Sequence, residues 1–359
     1  MTDNSNSNET HKKALQPESI NAASAGYIAG LRKNAPSAKA LAQGVLNGDI
    51  TALSRAITLI ESANPNHFEK AAEVIAQCLP HANKSVRIGI TGVPGVGKST
   101  FIEAFGKYLT GIGKKVAVLA VDPSSTVSHG SILGDKTRME ELVKDKNAYI
   151  RPSASGETLG GVAQKTRESV ILCEACGFDT ILIETVGVGQ SETAVHSMVD
   201  FFLLLQIAGA GDELQGIKRG IMEMADLVVI NKADGDNTHK ANFTKTELNR
   251  ALHYFPPKAS GWQPKAMTCS AVNRIGISET WQQIERYINH AKNNGYFEMC
   301  RHKQNTYWFT ETIHQLLLNR FYSNSETASH LETVKKAVQN GEISPFAAAS
   351  IVLKKYFSS

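Results

Sequence analysis

Residues Gly92-Val93-Pro94-Gly95-Val96-Gly97-Lys98-Ser99 fit the pattern G-x-x-x-x-G-K-[ST] without a mismatch. The pattern constrains the fold as well as the chemistry, because it works only where a strand enters a glycine loop and the loop opens a helix. Both flanks read that way. Val86-Arg87-Ile88-Gly89-Ile90-Thr91 is short, largely apolar and β-branched, as a buried strand should be, and Thr100-Phe101-Ile102-Glu103-Ala104-Phe105 reads as the opening of a helix. Glycines let successive backbone N–H groups turn inward on phosphates where side chains would obstruct them. The helix N-terminus adds positive potential. Lys98 can reach the β- and γ-phosphates, and the hydroxyl of Ser99, ahead of Thr100, can ligate Mg²⁺. The expectation is a nucleoside triphosphate site.

Composition narrows the class of partner. The chain has 359 residues, 42% hydrophobic and 20% charged, with a formal net charge of +4. That length can bury a large core. No basic block with interleaved aromatics is present, so nucleic acid is not implied. The most apolar stretch, Phe201-Phe202-Leu203-Leu204-Leu205-Gln206-Ile207-Ala208, is too short to span a bilayer; it reads as a buried parallel strand, and no membrane association is expected. Five cysteines in a chain of this length suggest reduced thiols and a cytoplasmic protein. Cys173-Glu174-Ala175-Cys176 has the C-x-x-C spacing, but no second pair or His cluster lies nearby to complete four ligands. Packing on a helix face explains it better.

Periodicity divides the chain. Residues 1–17 are polar, lack the hydrophobic core of a signal peptide and read as a disordered lead-in. Residues 18–85 read as a helical N-terminal extension, with apolar residues at i, i+3 and i+4 over Ala38–Asn47, Thr51–Ala63 and His67–Leu79. From 86 to 295, candidate strands at 86–91, 115–121, 147–150, 180–184, 200–206, 226–230 and 265–269 alternate with helical patterns, among them Gly160 to Cys176. The alternation predicts an α/β fold with a mostly parallel sheet and functional loops at the C-terminal strand ends. Residues 296–359 read as a C-terminal helical arm, amphipathic over Tyr307–Phe321, His330–Gln339 and Ala347–Tyr356, suited either to self-association or to packing on the same domain.

Asn231-Lys232-Ala233-Asp234 directly follows the apolar run Leu227-Val228-Val229-Ile230. N-K-x-D at a strand end is a guanine reader: a carboxylate at Asp234 can accept both N1–H and the N2 amino proton of guanine, and adenine offers neither. Lys232 would lie along the base and the phosphate loop, and Asn231 would tie the two loops together. Cys269-Ser270-Ala271, ahead of Val272 at the next strand end, would supply the backbone amide for guanine O6. Carboxylates for one Mg²⁺ site are offered by Asp122 in Val121-Asp122-Pro123-Ser124-Ser125, by Asp135 in Gly134-Asp135-Lys136-Thr137-Arg138, and by Glu184 in Ile183-Glu184-Thr185-Val186-Gly187. The last run has the shape of D-x-x-G with Glu for Asp, and the Gly187 amide would sense the γ-phosphate. Val188 stands where a Ras-like GTPase has its water-positioning Gln, with Gln190 two residues on, so unaided hydrolysis should be slow.

Together these motifs resemble the MeaB/ArgK family of P-loop GTPases. The resemblance also rests on Leu159-Gly160-Gly161-Val162-Ala163, Gly187-Val188-Gly189-Gln190-Ser191-Glu192, Gly209-Ala210-Gly211-Asp212-Glu213-Leu214-Gln215-Gly216-Ile217-Lys218 and Leu41-Ala42-Gln43-Gly44-Val45-Leu46-Asn47-Gly48-Asp49. It implies a GTPase, with GTP/GDP and Mg²⁺ as ligands, that gates adenosylcobalamin loading and protects methylmalonyl-CoA mutase. It further implies a homodimer joined through the C-terminal helices, Ser99, Asp122, Asp135 and Glu184 around Mg²⁺, and a catalytic set of Lys98, Glu184, Gly187 and Lys218. Lys218 would end a loop that relays nucleotide state. His129 and Glu157 depart from the family pattern. Two other readings stay open: a nickel-delivery GTPase, for which Cys173 and Cys176 would be the ligands on offer, and a protein kinase acting on transport-binding proteins.

Overall fold

The computed structural model describes residues 36–62, 64–121, 139–152, 159–185, 191–209 and 219–358. Each of the seven runs expected to form strands does so: β1 Val86–Gly92, β2 Val116–Val121, β3 Ala148–Arg151, β4 Thr180–Thr185, β5 Phe201–Ile207, β6 Leu227–Asn231 and β7 Lys265–Thr268. They form one sheet in the order β3-β2-β4-β1-β5-β6-β7, with every pairing parallel. β1 therefore lies between β4 and β5, and all seven C-terminal ends share one edge.

Helices cover both faces, as a parallel sheet requires. α1 Ala38–Leu46, α2 Ile50–Glu61 and α3 Phe68–Cys78 form the N-terminal layer. The hydroxyl of Ser37 accepts the Ala40 N–H at 3.2 Å and the Asp49 carboxylate accepts the Thr51 N–H at 2.7 Å, so α1 and α2 start on side-chain caps. These helices bury Leu41, Val45, Leu53, Ile57 and Val74 in one cluster with Val170, Leu172 and Cys173 of α5 Leu159–Ala175, which lies on the sheet. The opposite face carries α4 Lys98–Gly111 and, later in the chain, α9 Ile277–Asn293; Phe101, Phe105 and Trp281 meet Ile88, Ile90 and Leu205 there. Between them in sequence, α6 Ser191–His196, α7 Arg219–Met224 and α8 Thr238–His253 complete the helical cover. Gly89 leaves room for its neighbours: a Cβ there would stand 2.8 Å from the Phe202 ring of β5 and 3.0 Å from Val195 of α6.

α10 Tyr296–Ser323, α11 Ser325–Gln339 and α12 Pro345–Ser358 form the C-terminal arm. α10 runs from Tyr296, ahead of the amphipathic stretch at Tyr307–Phe321, and its first turns bury Phe297, Arg301, Gln304 and Trp308 on one face. Two of those four are polar, which hides the apolar period. Their donors find acceptors at the edge opposite the phosphate loop: Arg301 donates to Asp200 at 2.7 and 2.8 Å, Gln304 to the Val199 carbonyl at 2.7 Å and Trp308 to the Ser197 carbonyl at 3.1 Å. Beyond Trp308 the arm exposes Phe309, Leu317, Leu318, Tyr322, Phe346 and Phe357.

Candidate nucleotide site

The phosphate loop joins β1 to α4. Gly92 and Gly97 are required by shape. A Cβ at Gly92, where φ is +156°, would fall 2.6 Å from the Leu205 carbonyl oxygen; one at Gly97, where φ is +90°, would fall 2.9 Å from Asn231 Nδ2. Gly95 also has positive φ, and Val96 is wholly buried, donating its N–H to the Val93 carbonyl at 3.3 Å. Pro94 falls inside that turn. Lys98 opens α4 and folds back, donating from Nζ to the carbonyl of Gly92 at 2.7 Å and, more weakly, to that of Val93 at 3.4 Å. Burial pulls its ammonium below the usual lysine range, opposed by the carboxylates of Glu184 and Glu192. Ser99 and Thr100 follow in the first turn of α4.

Asn231, the last residue of β6, is 2% exposed and holds three loops in register. Its Nδ2 donates to the Val96 carbonyl at 2.9 Å, and its Oδ1 accepts the Ala271 N–H at 3.1 Å. Lys232 adopts φ +58° and donates from Nζ to the Gly95 carbonyl at 2.8 Å. The Ser270 hydroxyl donates to the Asp234 carboxylate, and the Ser270 Oγ accepts the Asn273 N–H at 3.2 Å. Asp234 is half-buried rather than enclosed, and Val272 is exposed. Gly276, whose Cβ would meet the Thr268 carbonyl at 2.6 Å, lets the chain turn back into α9 beneath this loop. The structure thus brings the phosphate loop, Asn231–Asp234 and Ser270–Val272 to one patch of the sheet edge. That patch carries two lysines on the phosphate-loop carbonyls and a carboxylate on the Ser270 hydroxyl, the chemistry to hold a phosphate chain at one end and a hydrogen-bonding base at the other.

Glu184 is half-buried at the end of β4, near enough to act on the charge of Lys98. With the Ser99 hydroxyl it forms the described part of the expected magnesium set, all hard oxygen donors as Mg²⁺ requires. Asp122, Asp135, Gly187 and Lys218 lie outside the described residues, as do Val188, Gln190, His129 and Glu157. Among the described residues, no group of three or more His, Cys, Asp or Glu side chains could hold a metal ion. Cys173 and Cys176 are buried, and burial pushes the first thiol well up and the second to about 11. No helix among the described residues is long and apolar enough to cross a membrane.

Residues that the motifs did not single out also converge here. Glu192 is 1% exposed, and its carboxylate accepts the hydroxyls of Thr91 and Ser191, both at 3.4 Å. Thr185 donates to Thr91 Oγ1 at 2.8 Å. Glu192 closes the Gln190-Ser191-Glu192 run, but nothing in its spacing signals burial.

Residues 53–326 match the family described as methylmalonyl Co-A mutase-associated GTPase MeaB. The chain belongs to the MeaB family. GTPase ArgK of Escherichia coli is 45% identical over 298 residues, 83% of this chain and 90% of that protein. The mitochondrial methylmalonic aciduria type A homolog of Mus musculus is 44% identical over 325 residues, 88% of this chain and 78% of that one. A crystal structure described as a LAO/AO transport system kinase superposes with a TM-score of 0.69 at 36% identity, covering 90% of this chain and 98% of that one. The MeaB-family match joins the parallel sheet and phosphate loop in one conclusion: the chain is a P-loop GTPase.

Proposed function

We propose that this GTPase is a chaperone of adenosylcobalamin-dependent methylmalonyl-CoA mutase, gating cofactor loading and protecting the mutase, with bound GTP as its timer. The observation that carries the reading is the match of residues 53–326 to a family described as mutase-associated, supported by the murine relative named for methylmalonic aciduria.

In this reading Gly92–Thr100 wraps the phosphates and Lys98 leaves the Gly92 carbonyl to meet them. Asp234 reads guanine, Lys232 flanks the base, and the Ser270–Val272 turn shapes the pocket for guanine O6. Ser99 and Glu184, with Asp122 and Asp135, would hold Mg²⁺, which neutralises phosphate charge when bound. Gly187 senses the γ-phosphate. Val188 cannot orient a water, so hydrolysis is slow until the partner engages, and Lys218 relays that engagement. The apolar side chains of the arm pair two copies into a homodimer, and the protein works in the cytoplasm.

The test is GTP hydrolysis by the full chain with and without purified methylmalonyl-CoA mutase. Stimulation by the mutase, lost in Lys218→Ala while GTP binding persists, is the expected result. Absence of both stimulation and co-elution would overturn the partner. The relative described as a transport system kinase makes phosphate transfer from ATP to a protein, uncompeted by GTP, the outcome that would replace this reading.

A further inference from the structure

Glu192 is a buried carboxylate that makes no ion pair within 4 Å among the described residues. A charge removed from water needs compensation. The cation beside it is Lys98, whose ammonium donates to the carbonyl of Gly92, the residue after Thr91. One of its carboxylate oxygens accepts from Ser191 of its own helix and the other from Thr91 of the sheet. Thr91, which donates to it, is the penultimate residue of β1, next to Gly92 where the phosphate loop begins. Thr91 also accepts from Thr185, so a continuous polar chain runs from the end of β4, across the end of β1, to the start of α6. Thr185 and Ser191 are the residues that flank segment 186–190. One threonine hydroxyl thus ties the end of β4 and the start of α6 to the strand that feeds the phosphate loop.

We propose that Glu192 is a positioning residue for GTP hydrolysis: its carboxylate, hydrogen-bonded to Thr91 beside the start of the phosphate loop, holds the Lys98 ammonium in place. An ammonium that must move between loop carbonyls and phosphates benefits from a fixed counter-charge behind it. A carboxylate supplies both that charge and the acceptors for Thr91 and Ser191; an amide of the same shape carries no charge and replaces one of the two acceptors with a donor.

The experiment compares Glu192→Gln, Thr91→Val and the double variant in the full chain. It measures binding of fluorescent GDP, kcat and KM for GTP, and the urea unfolding midpoint. Glu192→Gln should lower kcat about tenfold or more while GDP affinity stays within about threefold and the urea midpoint is kept. Thr91→Val should act in the same direction, and the double variant should be no worse than Glu192→Gln, since both break one clasp. Glu192→Asp should recover part of kcat, because the charge returns on a shorter stem. A kcat within about twofold of the parent in Glu192→Gln would overturn the proposal. So would a parallel fall in GDP affinity and unfolding midpoint, which would make Glu192 a structural residue only, or strictly additive effects in the double variant.

Discussion

Arg301 on α10 sets its guanidinium against the carboxylate of Asp200, ahead of β5, with 6% and 2% of the two side chains exposed. The same guanidinium donates to the carbonyls of Asn83 and Ser85, just before β1, at 2.8 and 2.7 Å. Asp200 in turn accepts the backbone N–H of Arg87 at 2.9 Å, and Arg87 grips the buried Glu174 of α5 with two nitrogens. The root of the arm is thereby bonded to the strand that ends in the phosphate loop. Arg301→Ala would leave a buried carboxylate and two carbonyls without their donor, a loss on the order of 3–5 kcal/mol. Urea unfolding should show it. Arg301→Lys should restore little, since an ammonium cannot span both carboxylate oxygens as the planar fork does. A midpoint unchanged in Arg301→Ala would mean that the network contributes nothing to stability.

Asn231 makes its two bonds, to Val96 and to Ala271, on opposite sides of the nucleotide patch. Asn231→Ala removes both and leaves a buried amide and carbonyl unpaired, each bond being worth about 1 kcal/mol. GTP and GDP should therefore weaken together, by about tenfold or more. Equilibrium titration with fluorescent nucleotides checks it. A loss confined to GTP would place the role of Asn231 at the γ-phosphate rather than in loop alignment.

Asp234 should decide the base. In Asp234→Asn the carboxylate that accepts two guanine protons becomes an amide able to donate to the 2-oxo group of xanthine, so preference should move from GTP toward xanthosine triphosphate. Ser270 would lose its charged acceptor in the same variant, a smaller effect that applies to either nucleotide. Competition between the two triphosphates for the fluorescent site measures the ratio. An unchanged preference for GTP would remove Asp234 from base recognition.

These predictions differ in how far the sequence alone could have reached them. The sheet was legible because its central strands are short apolar runs rich in Val, Ile, Leu and Phe between turn signals, and a parallel sheet buries such runs on both faces. Asn231 and Asp234 were legible because their spacing is fixed by local chemistry at one strand end. Glu192 and Arg301 were not. Each meets its partner across 101 residues, and a charged side chain looks the same in sequence whether it is solvated or enclosed. The amphipathic period is hidden over the first turns of α10 for the same reason, since Arg301 and Gln304 occupy positions where the helical period calls for apolar residues.

Asp145 gives a pH dependence whose sign is fixed by its partners. Hydrogen bonds from Lys107 of α4 and the Asn147 N–H, with a lesser one from the Thr110 hydroxyl, hold its carboxyl at about 2, below the ordinary range, against the opposing effect of burial. A carboxyl depressed in the folded state stabilises it fully above its unfolded value, about pH 4, and that contribution fades as pH falls through the folded value. Asp145→Asn should thus unfold at lower urea than the parent at about pH 7, with the same gap at about pH 5. The gap should narrow as pH is lowered from about 4 toward 2, because the parent then loses what the variant never had. Urea midpoints of the two proteins at matched pH test this. A gap that widens on acidification, or that stays constant down to about pH 3, would show that the contact with Lys107 and Thr110 does not hold the carboxylate in its charged form.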